Sequence, residues 1–240
     1  MELAQAQSSI NKNFYLTGGT ALSEFYFQHR LSEDIDLFSE KEVNIKAIEA
    51  FLQEISSKLG ISKIIKQNYL GLYTYKLEYK QSLRSNDLKQ SLRSNDLKQS
   101  LRSGDLKDGD ILKVDFNYYP FPRIEKGVYF GKLEVSSIYD IAVNKIHTVA
   151  MRTRVRDYID LYFIFKDTEY RSEKYLNRMR VDSQAKFDWP LEAKNLAAAF
   201  LKVKDLTKGD FPKMLVPFNK KDMEKFFLKL AKSLESDIFN

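Results

Sequence analysis

Cysteine is absent from all 240 residues, which excludes disulfides, a thiolate nucleophile and cysteine-ligated zinc. Histidine occurs only as His29 and His147, too few for a histidine-rich metal site. No stretch approaches 18 uninterrupted apolar residues, so no membrane span and no membrane partner is expected. The N-terminal run MELAQAQSSINKN has no apolar core of the signal-peptide kind. The expectation is a soluble, cytoplasmic protein. Apolar residues make up 43% of the chain, ample for a packed core, and the length admits one large domain or two small ones.

The formal net charge of +6 is less informative than it looks. Residues 80–106 are a nine-residue repeat, KQSLRSNDL, KQSLRSNDL, KQSLRSGDL. Each unit carries one Lys, one Arg and one Asp, so the repeat supplies half of the excess. A basic balance concentrated in one low-complexity stretch is weak evidence for nucleic-acid binding. Nine residues are about 2.5 helical turns and an odd number of strand positions, so neither element gives the three units a common apolar face. The repeat reads as a surface insertion between strands, or else as a nucleic-acid arm.

The stretch that organises the rest is YLTGGTALSEFYFQHRLSEDIDLF, from Tyr15 to Phe38. An apolar run ends in Gly18-Gly19-Thr20, a helix-period segment follows, and Asp34-Ile35-Asp36 closes it. Strand residues two apart face the same way, so Asp34 and Asp36 present adjacent carboxylates. Such a pair needs a cation to stay doubly ionised, and Mg²⁺ is bound in this manner together with substrate phosphates. The two glycines allow a tight turn into a helix whose free N–H groups favour phosphate, with Thr20 as the expected N-cap. Leu22, Phe25, Tyr26 and His29 fall on one face of that helix. The bland alternatives are an ordinary turn and a solvated strand end.

The stretch resembles the nucleotidyltransferases of the DNA polymerase β superfamily, whose signature is a Gly-Gly/Ser turn, a helix and a DxD pair. GGTAL followed by HRLSEDIDLF is similar, more narrowly, to the AbiEii/AbiGii toxin family. KVDFNYYP and DIAVNKIHTVAMRTRVRDYIDLYFI are similar to that family as well, so the resemblance covers about residues 13–165. It implies a third carboxylate at Asp115, acting on metal or as general base, although an outward-facing strand Asp reads equally well there. It also implies a functional Lys145 and an active-site motif containing Arg152 and Asp157.

The residues support parts of this independently. Helices are expected over 1–12, 20–30 and Asn44 to Leu59, and strands over 14–17, 34–38, 61–66, 69–79 and 111–118. Ser136-Ser137 should cap a helix whose stripe is Ile138, Ile141, Ala142, Ile146 and Val149. Lys145 lies in the middle of that stripe and must bury its charge, snorkel or meet an anion. The helix from Asp157 is apolar all round, so Asp157 and Asp160 need partners, for which Arg152, Arg154 and Arg156 are at hand. Asp160 reads as structural. Residues 171–181 and 190–203 and a C-terminal stripe from Met223 to Leu234 complete the helical part.

The expected architecture is α/β (α+β). A small mixed sheet of nucleotidyltransferase type spans residues 1–131, interrupted at 80–106, and a helical domain over 132–240 closes a nucleotide cleft. The resemblance implies transfer of a nucleotidyl group from an NTP by the toxin of a toxin–antitoxin or phage-defence pair. Asp34, Asp36 and Asp115 would bind Mg²⁺ or Mn²⁺; Gly18, Gly19, Thr20 and Arg152 would hold phosphate; Lys145 and Asp157 would be catalytic. The acceptor would be a tRNA-like RNA or a protein hydroxyl, with an antitoxin as partner. The alternative is a catalytically silent nucleotide- or RNA-binding module on the same fold.

Overall fold

A computed structural model describes residues 1–79, 111–166 and 170–236. The repeat at 80–106 lies outside the described residues. By contact density the chain divides into two units. The first comprises Met1–Thr20, Glu33–Pro120 and Val128–Val135; the second comprises Ala21–Ser32, Phe121–Gly127 and Ser136–Asn240.

The first unit carries a mixed sheet. Its strands are β1 (Tyr15–Thr17), β2 (Asp34–Ser39), β3 (Ile61–Tyr69), β4 (Leu72–Tyr79), β5 (Ile111–Tyr118), β6 (Val128–Phe130) and β7 (Leu133–Val135). The order across the sheet is β3-β4-β5-β2-β1-β7-β6. The β2–β5 and β1–β7 pairs are parallel, and the others antiparallel. Leu70 and Gly71, expected to continue a strand, form instead the two-residue turn between β3 and β4, with φ of +48° and +80°. Positive φ at both positions matches the right-handed twist of a tight hairpin. β6 and β7 are not among the strands expected from the sequence.

Alternation divides the sheet into two faces. Leu37, Tyr75, Leu77, Val114 and Phe116 are buried on one. Phe116 takes edge-on contacts from Phe14 at 5.2 Å and Tyr75 at 5.9 Å. The other face presents Asp34, Asp36, Thr74, Lys113 and Asp115.

The N-terminal segment forms two short helices rather than one, α1 (Glu2–Ala6) and α2 (Ser8–Asn11), because Gln7 is extended. Helix α4 (Ile45–Leu59) follows its sequence signals closely. The Asn44 side chain accepts the Ala47 N–H at 3.1 Å, and Gly60 ends the helix at φ +65°. Its stripe of Ile48, Phe51, Leu52 and Ile55 is buried.

Between β1 and β2, helix α3 begins at Gly18, two residues before the expected start, and runs to Leu22. It widens into a π-helical turn over Ser23–Phe27, which Gln28 ends at φ +48°. His29 therefore leaves the helix it was expected to share with Leu22, Phe25 and Tyr26, and is fully buried in the second unit. The strand-like bridge of Arg30 to Met214 pins this stretch, with N–H···O bonds of 2.9 Å from Leu31 to Lys213 and from Leu215 to His29.

The rest of the second unit is helical: α5 (Ile138–Met151), α6 (Val155–Lys166), α7 (Glu173–Phe187), α8 (Ala193–Leu201) and α9 (Lys220–Ser236). α5 packs on α6, α7 and α8, and α9 packs on α6 and α8. Ser137 caps α5 by accepting the Asp140 N–H at 2.9 Å. α6 is buried nearly all round, as its composition requires. Its Tyr158 hydroxyl donates to the Ala199 carbonyl at 2.6 Å, satisfying the polar end of a buried ring.

Candidate active site

The carboxylate face is built by register. β2 and β5 run parallel, with Asp34 opposite Lys113 and Asp36 opposite Asp115. Residues two apart on each strand share a face, so all four side chains rise from the same side. Lys113 Nζ lies 2.5 Å from Asp115 Oδ2 and 3.8 Å from Asp34 Oδ2. Thr74, opposite Asp115 on β4, donates its hydroxyl to Asp115 Oδ1 at 2.6 Å. Asp115 is 8% exposed, whereas the Asp34 and Lys113 side chains are 37% and 35% exposed. Burial works against the Lys113 charge, but the hydrogen bond to Asp115 and the fields of Asp115, Asp34 and Asp36 more than offset it and raise its pKa.

The glycine turn abuts this face. Gly18 has φ +73°, and a Cβ there would collide with the Asp36 carboxylate, Oδ2 first. Glycine is thus required twice over, for the left-handed backbone and for the space that the carboxylate fills. Thr20 sits inside the helix and is not its N-cap. Its hydroxyl donates to the Asp34 backbone carbonyl, tying the start of α3 to the first residue of the DxD strand.

A hard divalent cation is bound by one or two carboxylates together with substrate phosphates. Asp34 and Asp36 fit that chemistry, being oxygen donors on one partly exposed face. Asp115 is different, since Thr74 engages one of its oxygens and Lys113 the other. Among the described residues, no group of three or more His, Cys, Asp or Glu side chains is arranged to hold a metal ion. A cation ligated by Asp115 Oδ2 competes with the Lys113 ammonium for that oxygen.

The second unit holds a separate charged cluster. Lys145, on α5, meets two anions: Asp157 Oδ1 at 2.5 Å and Asp160 Oδ2 at 2.8 Å. Of the three fates open to a lysine in an apolar stripe, it takes the third. Its side chain is 13% exposed, and although burial works against the charge, Asp160 and Asp157 raise its pKa. Asp160 is fully buried and is gripped by Arg30 and His29 as well, so the cations shown against it come from elsewhere in the chain than the expected Arg152, Arg154 and Arg156, which are exposed. Burial disfavours its charge, but Lys145 and Arg30, with His29, hold the carboxyl well below the usual range. Asp157 is 6% exposed, and its Oδ2 is buried with no hydrogen-bond partner among the described residues. Arg152 ends α5 as an exposed residue in extended conformation.

Sequence reasoning missed Lys113, Thr74, Arg30 and Asp140. Lys113 was legible in principle, standing two residues before Asp115 on a strand. Thr74 and Arg30 acquire meaning only from strand pairing and from a contact 130 residues long. Asp140 anchors the preceding loop by accepting the Ile124 and Glu125 N–H groups, each at 2.9 Å, and takes the Lys186 ammonium at 3.1 Å. A pocket of about 270 Å³ beside Met151, Trp189 and Leu191 contains none of the candidate site residues.

The sequence model of the AbiEii family, described as nucleotidyl transferase AbiEii toxin, Type IV TA system, matches residues 3–236. No curated protein sequence matches the chain. Among solved structures, JHP933 from Helicobacter pylori superposes with a TM-score of 0.56 at 18% identity, covering 98% of this chain and 88% of its own. A second H. pylori structure, provisionally described as a nucleotidyltransferase, gives 0.58 at 18% identity, covering 98% of this chain and 91% of its own. At such identities the likeness concerns the fold.

Proposed function

Because the chain belongs to the AbiEii nucleotidyl transferase toxin family of Type IV toxin–antitoxin systems and is a nucleotidyltransferase, we propose that it moves a nucleotidyl group from an NTP to a hydroxyl of a tRNA-like RNA or of a protein, in a reaction that requires Mg²⁺ or Mn²⁺. The observation that carries the proposal is the register of β2 on β5, which sets Asp34, Asp36 and Asp115 on one face beside the Gly18 turn.

The acceptor oxygen attacks the α-phosphorus, the bond to the bridging oxygen breaks, and pyrophosphate leaves. Asp34 and Asp36 would hold the cation, which would supply charge neutralisation to the transferring phosphate. Asp115 either joins them or takes the acceptor's proton. Gly18, Gly19 and Thr20 form the turn that receives phosphate oxygens. Lys145, Asp157 and Arg152 enter by their place in the family motif. In its biological setting the protein is the toxin of a phage-defence pair restrained by an antitoxin, and it acts in the cytoplasm.

The test is incubation with each labelled NTP, Mg²⁺ and total RNA, with RNA and protein then separated for label. Transfer should appear with one or a few NTPs, vanish with chelator, and fall to background in Asp36→Asn. Metal-dependent nucleotide binding with no labelled product in any fraction would instead mark a silent binding module. Full activity in Asp36→Asn would reduce the DxD to a strand end.

A further inference from the structure

Lys113 is an odd residue to find on a face meant for a divalent cation. Its backbone is locked by the parallel ladder opposite Asp34, so its ammonium is delivered to the carboxylates by the fold itself. Nζ sits 2.5 Å from Asp115 Oδ2 and 3.8 Å from Asp34 Oδ2. Thr74 donates to Asp115 Oδ1 while the ammonium holds Oδ2, so a cation approaching Oδ2 meets Lys113 there. Neighbouring carboxylates repel unless a positive charge lies among them, and Lys113 provides one. A divalent ion and an ammonium cannot both sit against the same oxygens without strong repulsion.

We propose that Lys113 is an internal counter-ion, holding the carboxylate face together in the ion-free enzyme and competing with the divalent cation for it, so that the cation binds well only when nucleotide arrives with it. The inference rests on the assignment of Asp34 and Asp36 as cation ligands. The ammonium is a compact charge on a flexible four-carbon stem, and the side chain is 35% exposed, so it can swing away while β5 stays in place. A bound triphosphate offers it new anionic oxygens on the same face. Nucleotide therefore lowers the cost of displacing it, and metal and nucleotide binding become coupled. The device spares the enzyme a bare cluster of carboxylates and disfavours occupation by metal alone.

The experiment is calorimetric titration of Mn²⁺ into the full chain, without nucleotide and then with a non-hydrolysable NTP. The variants are Lys113→Met, Lys113→Gln and Asp36→Asn, each checked for folding by circular dichroism. Without nucleotide, Lys113→Met should bind Mn²⁺ about tenfold or more tighter than the unmodified protein, as expected on removing a competing charge at contact distance. With the NTP analogue the gap should close or reverse. If Lys113→Met does not fold, Lys113→Gln gives the answer. Equal or weaker Mn²⁺ affinity in a folded Lys113 variant overturns the inference. If that occurs while Asp36→Asn abolishes Mn²⁺ binding, the cation site stands and only the role of Lys113 is lost. If Asp36→Asn binds Mn²⁺ like the unmodified protein, the cation lies elsewhere and both assignments fall.

Discussion

Arg30 and Asp160 form a two-pronged buried ion pair across 130 residues of sequence, Nε to Oδ1 at 2.7 Å and Nη2 to Oδ2 at 2.9 Å. The arginine is 2% exposed and the aspartate not at all. Parallel N–H···O bonds of this kind are geometrically specific as well as strong. Lys145 and His29 complete the shell around the same carboxylate.

Asp160→Asn should accordingly destabilise the protein by about 3–5 kcal/mol at pH 7, since it strips buried cations of their counter-charge. The pH dependence has a definite sign. The folded-state pKa of Asp160 is depressed, so its contribution is fully present above the unfolded value of about 4 and is lost as pH falls below it. Urea unfolding at pH 7, 5, 4 and 3 should show the unmodified protein losing stability below pH 4 more steeply than Asp160→Asn. Parallel pH profiles would mean that the carboxylate is not charged in the folded protein.

Gly18→Ala tests the turn. The left-handed φ of +73° costs an alanine about 1–2 kcal/mol, and its methyl group would displace the Asp36 carboxylate. The expected result is a lower unfolding midpoint together with weakened Mn²⁺-dependent nucleotide binding by calorimetry. A midpoint drop with unchanged binding would confine the glycine to a backbone role.

Lys145→Ala should cut turnover by about 10²–10³, the usual loss when a charge-stabilising group is removed. Asp157→Asn, which keeps the shape and loses the charge, should act in the same direction. Both need a stability control, because Lys145 also neutralises Asp157 and Asp160. Single-turnover rates per folded molecule make the distinction. Unchanged rates alongside a lower unfolding midpoint would assign the pair to structure alone.

The repeat is expected to be dispensable. Glu78 and Ile111 are opposite each other in the β4–β5 ladder, so the strand ends it connects are already adjacent. Replacing residues 80–106 by a short Gly-Ser linker should hardly alter the thermal midpoint, since each halving of a loop changes closure by only about 0.6 kcal/mol. A large loss of stability would make the insert part of the folded core.

Period and capping signals are local, and they were legible. The DxD face follows from alternation along β2 alone, the ends of α4 from Asn44 and Gly60, the start of α5 from Ser137, and the burial of α6 from apolar residues on every side. The family motif carried the nucleotidyltransferase fold with them. Pairing between distant segments was not legible, because no local pattern encodes a partner. That Asp36 faces Asp115, and that Lys113 therefore stands against Asp34, follows from the parallel register of β2 on β5. That Asp160 belongs to Arg30 and His29 follows from a π-helical turn and a left-handed Gln28, which end α3 early and carry both residues into the helical unit. Sequence by itself determined which charged groups each element carries and that Asp34 and Asp36 share a face. Only the tertiary structure decided which charges meet, because an ion pair is made by distance in space, and distance along the chain says nothing of it.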